Sequence, residues 1–179
     1  MKTRQFLPLT SILLLITCIV NAQQMPDPTA KKEAMSNLEM LEGSWKGGGW
    51  ASSPDGSRTE FNQSEEIELK LNGLALLIQG EGYSKTSGEI IHDALGVITY
   101  NDNENEYLVQ THLATGQSAN AKGYFEDDKF IWGFEVPGGQ VRYIITVNAT
   151  TWNEYGEFSR DGNQWYKFIE MNLEKVSDN

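Results

Sequence analysis

The chain is dominated by short segments in which apolar and polar residues alternate, which is the pattern of strands with one buried face. After residue 42, nine turn signals rich in Gly, Asn, Asp and Pro separate ten such segments. Short connections favour antiparallel neighbours, and no helix-length segment interrupts the strands. The pattern predicts an all-β fold, a ten-stranded antiparallel up-and-down β-barrel wide enough for a cavity, with a two-sheet sandwich as the alternative.

One segment ahead of the strands has helical periodicity instead. Between Pro28 and Met40, apolar residues recur at three- and four-residue spacing, which predicts a short helix with one apolar face. A helix of this length is expected to act as a lid or plug for the barrel. We place the barrel domain at residues 36–176, a linker and the start of the helix at 23–35, and a tail at 177–179.

The first 22 residues are organised like a secretory signal peptide. Lys2 and Arg4 precede an apolar run, and a small-residue cleavage site ends at Ala22. The run is shorter than the roughly 20 residues of a membrane-spanning helix, so we expect no transmembrane segment after cleavage. The predicted location is therefore periplasmic or secreted. Acylation of Cys18, as in a bacterial lipoprotein, is the alternative, although Thr17 is a poor residue before such a cysteine.

Charge and composition narrow the range of partners. The chain has a net charge of −11, and removal of residues 1–22 leaves 12 basic and 25 acidic residues, a net charge of −13. This balance disfavours nucleic acids and anionic lipids as partners. Five Trp, seven Tyr and seven Phe suffice to build a core or to line a pocket. We expect a small, mostly apolar ligand, no nucleic acid, and a monomer or weak dimer.

Three motifs carry a resemblance to a known family. They are Leu41-x-Gly43-x-Trp45-x-Gly47, then Leu95 to Asn101 with Tyr107, and finally Asp161 to Lys167 with Glu170. Over about residues 36–175 the chain resembles an uncharacterised family of exported bacterial proteins in the lipocalin-like (calycin) group, distantly related to nitrobindins. The resemblance implies a barrel in which a basic residue, Lys175 or Lys167, covers Trp45, but it implies no agreed activity.

The chain departs from the nitrobindins at the residue that holds their haem. Nitrobindins bind haem through a histidine in the C-terminal strand, whereas residues 165–176 contain no histidine. Haem needs an axial ligand, and only His92, His112, or a tyrosine or methionine such as Met171 would remain. We therefore expect neither haem nor another cofactor.

The two histidines are also candidate metal ligands. His92 and His112 flank a predicted turn around Asn103, and positions whose numbers sum to about 205 are expected to lie opposite each other. Two imidazoles beside Asp93 have the chemistry of a metal site. A one-residue change of register would place the two rings on opposite faces, however, and ordinary surface histidines are the favoured interpretation. No metal site is assigned.

Candidate ligand-binding residues lie in the last four predicted strands. Aromatic residues there alternate with polar ones, and Arg142 is the natural partner for Glu170, because its neighbours Val141 and Tyr143 have the character of core residues. Such a pair would orient a polar ligand at the cavity, and a surface ion pair is the alternative. The other carboxylates inside predicted strands are Glu65, Glu66, Glu68, Glu81 and Glu135. A buried pair among the strand carboxylates would be suited to acid–base work, but solvated outer-face positions explain most of them. The predicted ligand-binding set is Trp132, Phe134, Arg142, Tyr143, Trp165, Tyr166 and Glu170.

These observations favour a binding protein over an enzyme. No Ser-His-Asp order, Cys/His zinc spacing or nucleotide-binding loop is visible, so no catalytic residue is assigned. Two alternatives stay open. One is an enzyme that uses an internal glutamate or histidine for proton transfer. The other is an envelope domain whose outer surface binds a protein partner.

Overall fold

The computed structural model describes residues 27–53 and 55–176. The signal peptide predicted for residues 1–22 and the tail predicted for 177–179 lie outside the described residues. The described chain contains one short helix, one 3₁₀ turn at Glu39–Leu41 and ten strands. Their bounds are α1 Thr29–Ser36, β1 Gly43–Ser52, β2 Arg58–Lys70, β3 Ala75–Ser84, β4 Ile90–Asn101, β5 Glu106–Leu113, β6 Ser118–Glu126, β7 Lys129–Val136, β8 Gly139–Val147, β9 Thr151–Ser159 and β10 Tyr166–Lys175.

The ten strands close into a barrel. Each strand pairs antiparallel with its neighbour in the chain, and β1 also pairs with β10 from Trp45↔Lys175 to Ala51↔Ile169. The predicted ten-stranded up-and-down barrel is confirmed. The sandwich alternative is wrong, because the β1–β10 pairing leaves the sheet with no free edge.

The register determines which side chains point into the barrel. Trp45 is fully buried and stands opposite both Glu65 and Lys175, so every second residue from these positions faces inward. At the end of the barrel nearest α1, the inward residues form a continuous apolar layer. Its buried members are Trp45, Ile67, Leu76, Ile98, Val109, Phe130, Ile145, Trp152 and Leu173.

The helix and the 3₁₀ turn seal this end, which we call the closed end. Met35, Leu38 and Leu41 have 0–1% of their surface exposed and pack against the apolar layer. The Tyr107 hydroxyl donates a hydrogen bond to the Ala34 carbonyl at 2.6 Å, which fixes the helix on the barrel. The helical segment is thus a plug, as predicted. It is shorter than expected, because α1 stops at Ser36 and a separate turn follows.

The expected basic cover over Trp45 is confirmed, and the residue that provides it is Lys175. Its Nζ lies 5.0 Å from the centroid of the Trp45 ring. The other candidate, Lys167, lies over Tyr155 on the outer face, 4.2 Å from that ring centroid.

Replacing Lys175 with methionine should lower the free energy of unfolding by about 0.5–1 kcal/mol, because the cation–π contact is lost while most of the apolar stem is kept. Lys46→Met is the matched control. Lys46 is exposed on the outer face of the neighbouring strand, opposite Glu174. Urea unfolding of the three proteins checks the prediction. Equal losses in both variants would mean that the contact with Trp45 contributes nothing.

Candidate functional site

Beyond the closed end, three strands present aromatic rings to the barrel interior. The rings of Trp132 on β7 and Tyr143 on β8 are stacked, with centroids 4.3 Å apart and planes inclined by 13°. Phe134 lies 6.3 Å from Trp132, and Phe168 meets Tyr143 edge-on at 5.9 Å. A β-bulge between Lys167 and Ile169 accompanies the inward position of Phe168. We call Trp132, Phe134, Tyr143 and Phe168 the aromatic wall.

The aromatic wall keeps accessible surface inside the barrel. Each of its four rings is only partly buried, although each points into a closed barrel. An inward side chain in a closed barrel keeps accessible surface only where the interior is unfilled. Glu154 and Met171 face inward and are partly accessible for the same reason. The inward face of the half of the barrel away from α1 is therefore partly accessible, and we call this part of the interior the lumen.

Small inward residues across the barrel from the aromatic wall accommodate the polar side chains of β2. In strand order β3 stands half the ring away from β8, and its inward positions include glycines. An added Cβ at Gly80 would lie 2.6 Å from both carboxyl oxygens of Glu65, so this glycine makes room for that carboxyl group. The small inward residues of β1, β3 and β4 are Gly47, Gly49, Gly80, Gly82, Ala94 and Gly96.

Two carboxyl groups lie inside the barrel at the base of the lumen. Glu65 is the next inward residue after Ile67 on β2, and Glu154 is the next after Trp152 on β9. Only 5% of Glu65 is exposed, and the Gln63 amide donates a 2.8 Å hydrogen bond to its Oε1. Its Oε2 is buried without a hydrogen-bond partner among the described residues. We call Glu65 and Glu154 the interior carboxyl pair.

Enclosure in the barrel raises the pKa values of both acids. Burial raises the pKa of Glu65 to about 7, against the opposing effect of the hydrogen bond from Gln63. Burial, and then the charge of Glu65, raise the pKa of Glu154 to about 8. Glu154 keeps some accessible surface, which faces the lumen, so enclosure by the ten strands is what desolvates it. At neutral pH the pair therefore holds protons that surface carboxylates would have lost.

The indole of Trp152 lies beside this pair. Its N–H is buried and forms no hydrogen bond of ordinary geometry within the described chain. It is close enough to the Glu154 carboxyl to lower the pKa of that group, against the larger effect of burial. The contact is therefore long and weak, and the centre of the barrel keeps both an unpaired donor and an unpaired acceptor.

Two further titratable groups face the lumen. Burial, and then the charge of Glu154, raise the pKa of Tyr143 to about 12, so its hydroxyl stays protonated. His92 points inward at the open end, where its ring remains accessible. Desolvation lowers the pKa of His92, and the charge of Asp93 opposes that effect. The histidine is therefore neutral at physiological pH.

The two histidines do not lie opposite each other, and the predicted register was wrong. Positions paired between β4 and β5 sum to 207, as in Ala94↔Leu113, instead of about 205. His112 therefore points to the outer face, opposite Leu95, while His92 points inward. Within residues 27–53 and 55–176, no group of three or more His, Cys, Asp or Glu side chains is arranged to hold a metal.

The structure divides the predicted ligand-binding set between two faces. Trp132, Phe134 and Tyr143 point into the lumen, and their contact with a ligand stays a prediction. Arg142 pairs on the outer face with Glu157 at 2.8 Å. The expected partnership of Arg142 with Glu170 is therefore wrong, because the β8–β9 register places Glu157 opposite Arg142.

Trp165 and Glu170 also lie outside the lumen, whereas Tyr166 lies at its rim. The Arg142 guanidinium lies 3.9 Å from the centroid of the Trp165 ring. Tyr166 stands opposite the inward Phe158 at the open end of the barrel, where 61% of it is exposed. Glu170 pairs with Lys167 at 3.2 Å, opposite the outward Tyr155. The exterior therefore carries a polar and aromatic patch, separated from the lumen by the sheet, formed by Arg142, Glu157, Trp165, Lys167 and Glu170.

Sequence reasoning missed Gln63, Glu65 and Glu154 as interior residues. A usable signal was present on β9, where Trp152, Glu154, Gly156 and Phe158 follow one alternation. On β2 the signal is weaker, because both faces of the strand carry polar residues. The outer face is polar, and Gln63 and Glu65 make the inward face polar as well.

A second concavity lies outside the barrel. It has a volume of about 380 Å³ and follows β3, β4 and β5. Most of its side chains, including Glu81, Asp93 and His112, point outward in the register, so it is separate from the lumen. None of the helices in the described part of the chain is long and apolar enough to cross a membrane.

Comparisons with known proteins agree with this architecture. No protein-family model matches the chain, and no curated protein matches it. The crystal structure of Rv2717c from M. tuberculosis is similar, with a TM-score of 0.62 and 12% identity, covering 80% of this chain and 98% of that one. The S-type phycobiliprotein lyase CPES from Guillardia theta is similar with a TM-score of 0.59 and 12% identity, covering 82% and 93%.

Both structures are ten-stranded barrels of the lipocalin (calycin) type. Identities this low show a shared fold and nothing more. The chain therefore has a lipocalin-like fold, as predicted, and its membership of the exported bacterial family stays a prediction.

Proposed function

We propose that this chain is an exported carrier that binds a small, mostly apolar ligand in the lumen of its barrel. The observation that carries the proposal is the aromatic wall, whose four rings are partly accessible inside a closed barrel. Aromatic surface left accessible in a concave site favours an apolar partner, and each ring contact contributes about 0.5–1.5 kcal/mol beyond the area it buries. Export to the periplasm or medium, as a monomer or weak dimer, is part of the proposal.

Native mass spectrometry tests export and endogenous ligand together. The protein is purified gently from the exporting host, and its native mass is compared with its denatured mass. The proposal expects a polypeptide beginning at Gln23 and an extra mass that is lost on denaturation. A polypeptide that retains residues 1–22 would contradict export.

Binding of a neutral apolar dye tests the lumen directly. N-phenyl-1-naphthylamine should bind with one saturable site per chain, and Trp132→Ala should weaken its binding by about tenfold, because a stacked ring is removed from the wall. Trp50→Ala is the matched control, since Trp50 lies on the outer face of β1 beneath Arg58. Titration by dye fluorescence measures both variants. Equal effects of the two substitutions would contradict binding in the lumen.

A lumen-filling variant separates occlusion from damage to the fold. An added Cβ at Gly96 would meet only ordinary contacts, the nearest being Ile78 Cβ at 3.4 Å. Gly96→Leu should therefore occupy the lumen without a backbone clash and abolish dye binding while the thermal transition is kept. Retained dye binding in a folded Gly96→Leu protein would place the dye elsewhere.

The interior carboxyl pair supports a second candidate function, acid–base catalysis on a bound molecule. Two neighbouring acids with raised pKa values can hold one proton between them, which is the condition for one to donate and the other to accept. The distinguishing measurement is the chemical identity of the ligand before and after incubation with the protein. An unchanged ligand supports the carrier, and a converted one supports the enzyme.

A further inference from the structure

The interior carboxyl pair lacks the partner that buried acids normally have. Carboxylates inside proteins are usually matched by a cation or by several donors, because a bare charge in a low-dielectric site is costly. Glu65 receives one hydrogen bond, from Gln63, and its other oxygen has no partner in the described chain. Glu154 has only the weak approach of the Trp152 N–H.

The protein supplies no cation to this site. Inward positions around the lumen carry no lysine or arginine within the described residues. The nearest inward cation, Lys175, lies over Trp45 at the closed end. The other titratable groups facing the lumen, His92 and Tyr143, are neutral at physiological pH. The negative charge that the pair can develop is thus unmatched within the barrel.

The surroundings of the pair fit an occupant with two chemical ends. The Glu65 carboxyl group packs against Gly80, and Glu154 keeps accessible surface toward the lumen. The aromatic wall starts directly above, with Tyr143 following Ile145 along β8 and Trp132 following Phe130 along β7. An aromatic face also attracts a cation that lies beside it. A positive head at the pair and an apolar body along the wall would satisfy both surfaces.

We propose that the lumen is selective for an amphipathic organic cation, a protonated amine whose ammonium group is held between Glu65 and Glu154 and whose apolar body covers the aromatic wall. The inference rests on the proposed carrier function and names the chemical class of its ligand. The ammonium donates hydrogen bonds to Glu65 Oε2 and to the Glu154 carboxyl group. Protons held by the pair leave to solvent as the cation binds.

Two probes that differ only in the head group test the selectivity. They are 2-(1-naphthyl)ethylamine, which is protonated below about pH 9, and the neutral 2-(1-naphthyl)ethanol. Affinities are measured by calorimetry and by displacement of N-phenyl-1-naphthylamine. At pH 8 the amine should bind at least about tenfold more tightly than the alcohol, because charge-assisted hydrogen bonds exceed neutral ones. The preference should grow between pH 6 and pH 9 as the carboxyl pair ionises.

Three variants identify the groups responsible. Glu65→Gln and Glu154→Gln should each lower the affinity for the amine by about tenfold and leave that for the alcohol within about threefold. Glu66→Gln is the matched control, because Glu66 is exposed on the outer face, one residue along the same strand. Calorimetry in two buffers of different ionisation enthalpy should show proton release on amine binding at pH 7.

Failure of the cation inference can be distinguished from failure of the carrier proposal. If the neutral dye binds in the lumen but the alcohol binds as tightly as the amine, the cation inference is wrong and the carrier proposal stands. A loss of amine preference in Glu66→Gln equal to that in Glu65→Gln would also overturn the inference, by showing a general effect of surface charge. If neither the dye nor the naphthyl probes bind, the carrier proposal and the inference that rests on it both fall.

Discussion

The substitution Glu65→Gln should stabilise the protein by about 2–3 kcal/mol at pH 9 and by less than about 1 kcal/mol at pH 5. The reference pKa of the carboxyl group is 4.5, and burial raises it to about 7 in the folded protein. As pH rises from about 4.5, the unfolded chain loses this proton while the folded protein retains it, so the free energy of unfolding falls. Above pH 7 both states are ionised, and the full cost of the buried charge remains.

Urea unfolding at pH 5 and pH 9 measures this effect. Glu66→Gln, the outer-face control, should shift the free energy of unfolding by a similar small amount at both pH values. A Glu65→Gln protein that is less stable than the wild type at pH 9 would mean that a partner compensates the Glu65 charge in the folded protein.

The two interior acids should also behave as a coupled unit. The charge of Glu65 contributes to the raised pKa of Glu154, so removing it should bring the pKa of Glu154 down toward its ordinary range. The stabilising effects of Glu65→Gln and Glu154→Gln at pH 9 should therefore sum to more than that of the double variant. Full additivity in the double-mutant cycle would show that the two carboxyl groups do not interact.

Trp45→Ala should lower the free energy of unfolding by about 3–5 kcal/mol, the cost of removing a large buried aromatic side chain. Trp45 has no exposed surface, donates a 2.8 Å hydrogen bond to the Leu41 carbonyl and meets Trp152 edge-on at 5.9 Å. Its loss removes the contact between the plug and the barrel as well as apolar area.

Trp50→Ala provides the comparison within the same strand. Trp50 lies on the outer face, where the Arg58 guanidinium is 3.7 Å from its ring centroid, and its removal should cost less than about 1 kcal/mol. Chemical denaturation of both variants, read by far-ultraviolet circular dichroism, makes the measurement. Similar losses for the two tryptophans would show that the closed end is not the centre of stability.

The barrel itself could be predicted because its signals are local. Turn residues at short intervals and alternation within segments define ten antiparallel strands, whichever way each strand faces. Trp45 could be placed at the closed end because its family motif locates it at the start of the first strand. Register was beyond this reasoning, since it depends on the length of each loop. The turn before β5 contains four residues, 102–105. The resulting register differs from the predicted one, so that His92 and His112 lie on opposite faces of the sheet.

The interior carboxyl pair could not be predicted with equal ease. Alternation assigns polar residues to the outside, and this rule fails where the inside is also polar. On β2, Gln63 and Glu65 lie between Phe61 and Ile67, so only the two apolar neighbours indicate that they face inward. The candidate site is therefore where the pattern of a stable core is broken.

An even number of strands returns the chain to its starting side. β1 begins and β10 finishes at the closed end, where Lys175 covers Trp45 and α1 plugs the barrel. Both ends of the described chain thus emerge on one side, and the open end of the barrel lies on the other. A lipid anchor, a surface linker or a fusion partner joined at either terminus would leave that open end facing away from the point of attachment. The fold therefore allows attachment at its closed end.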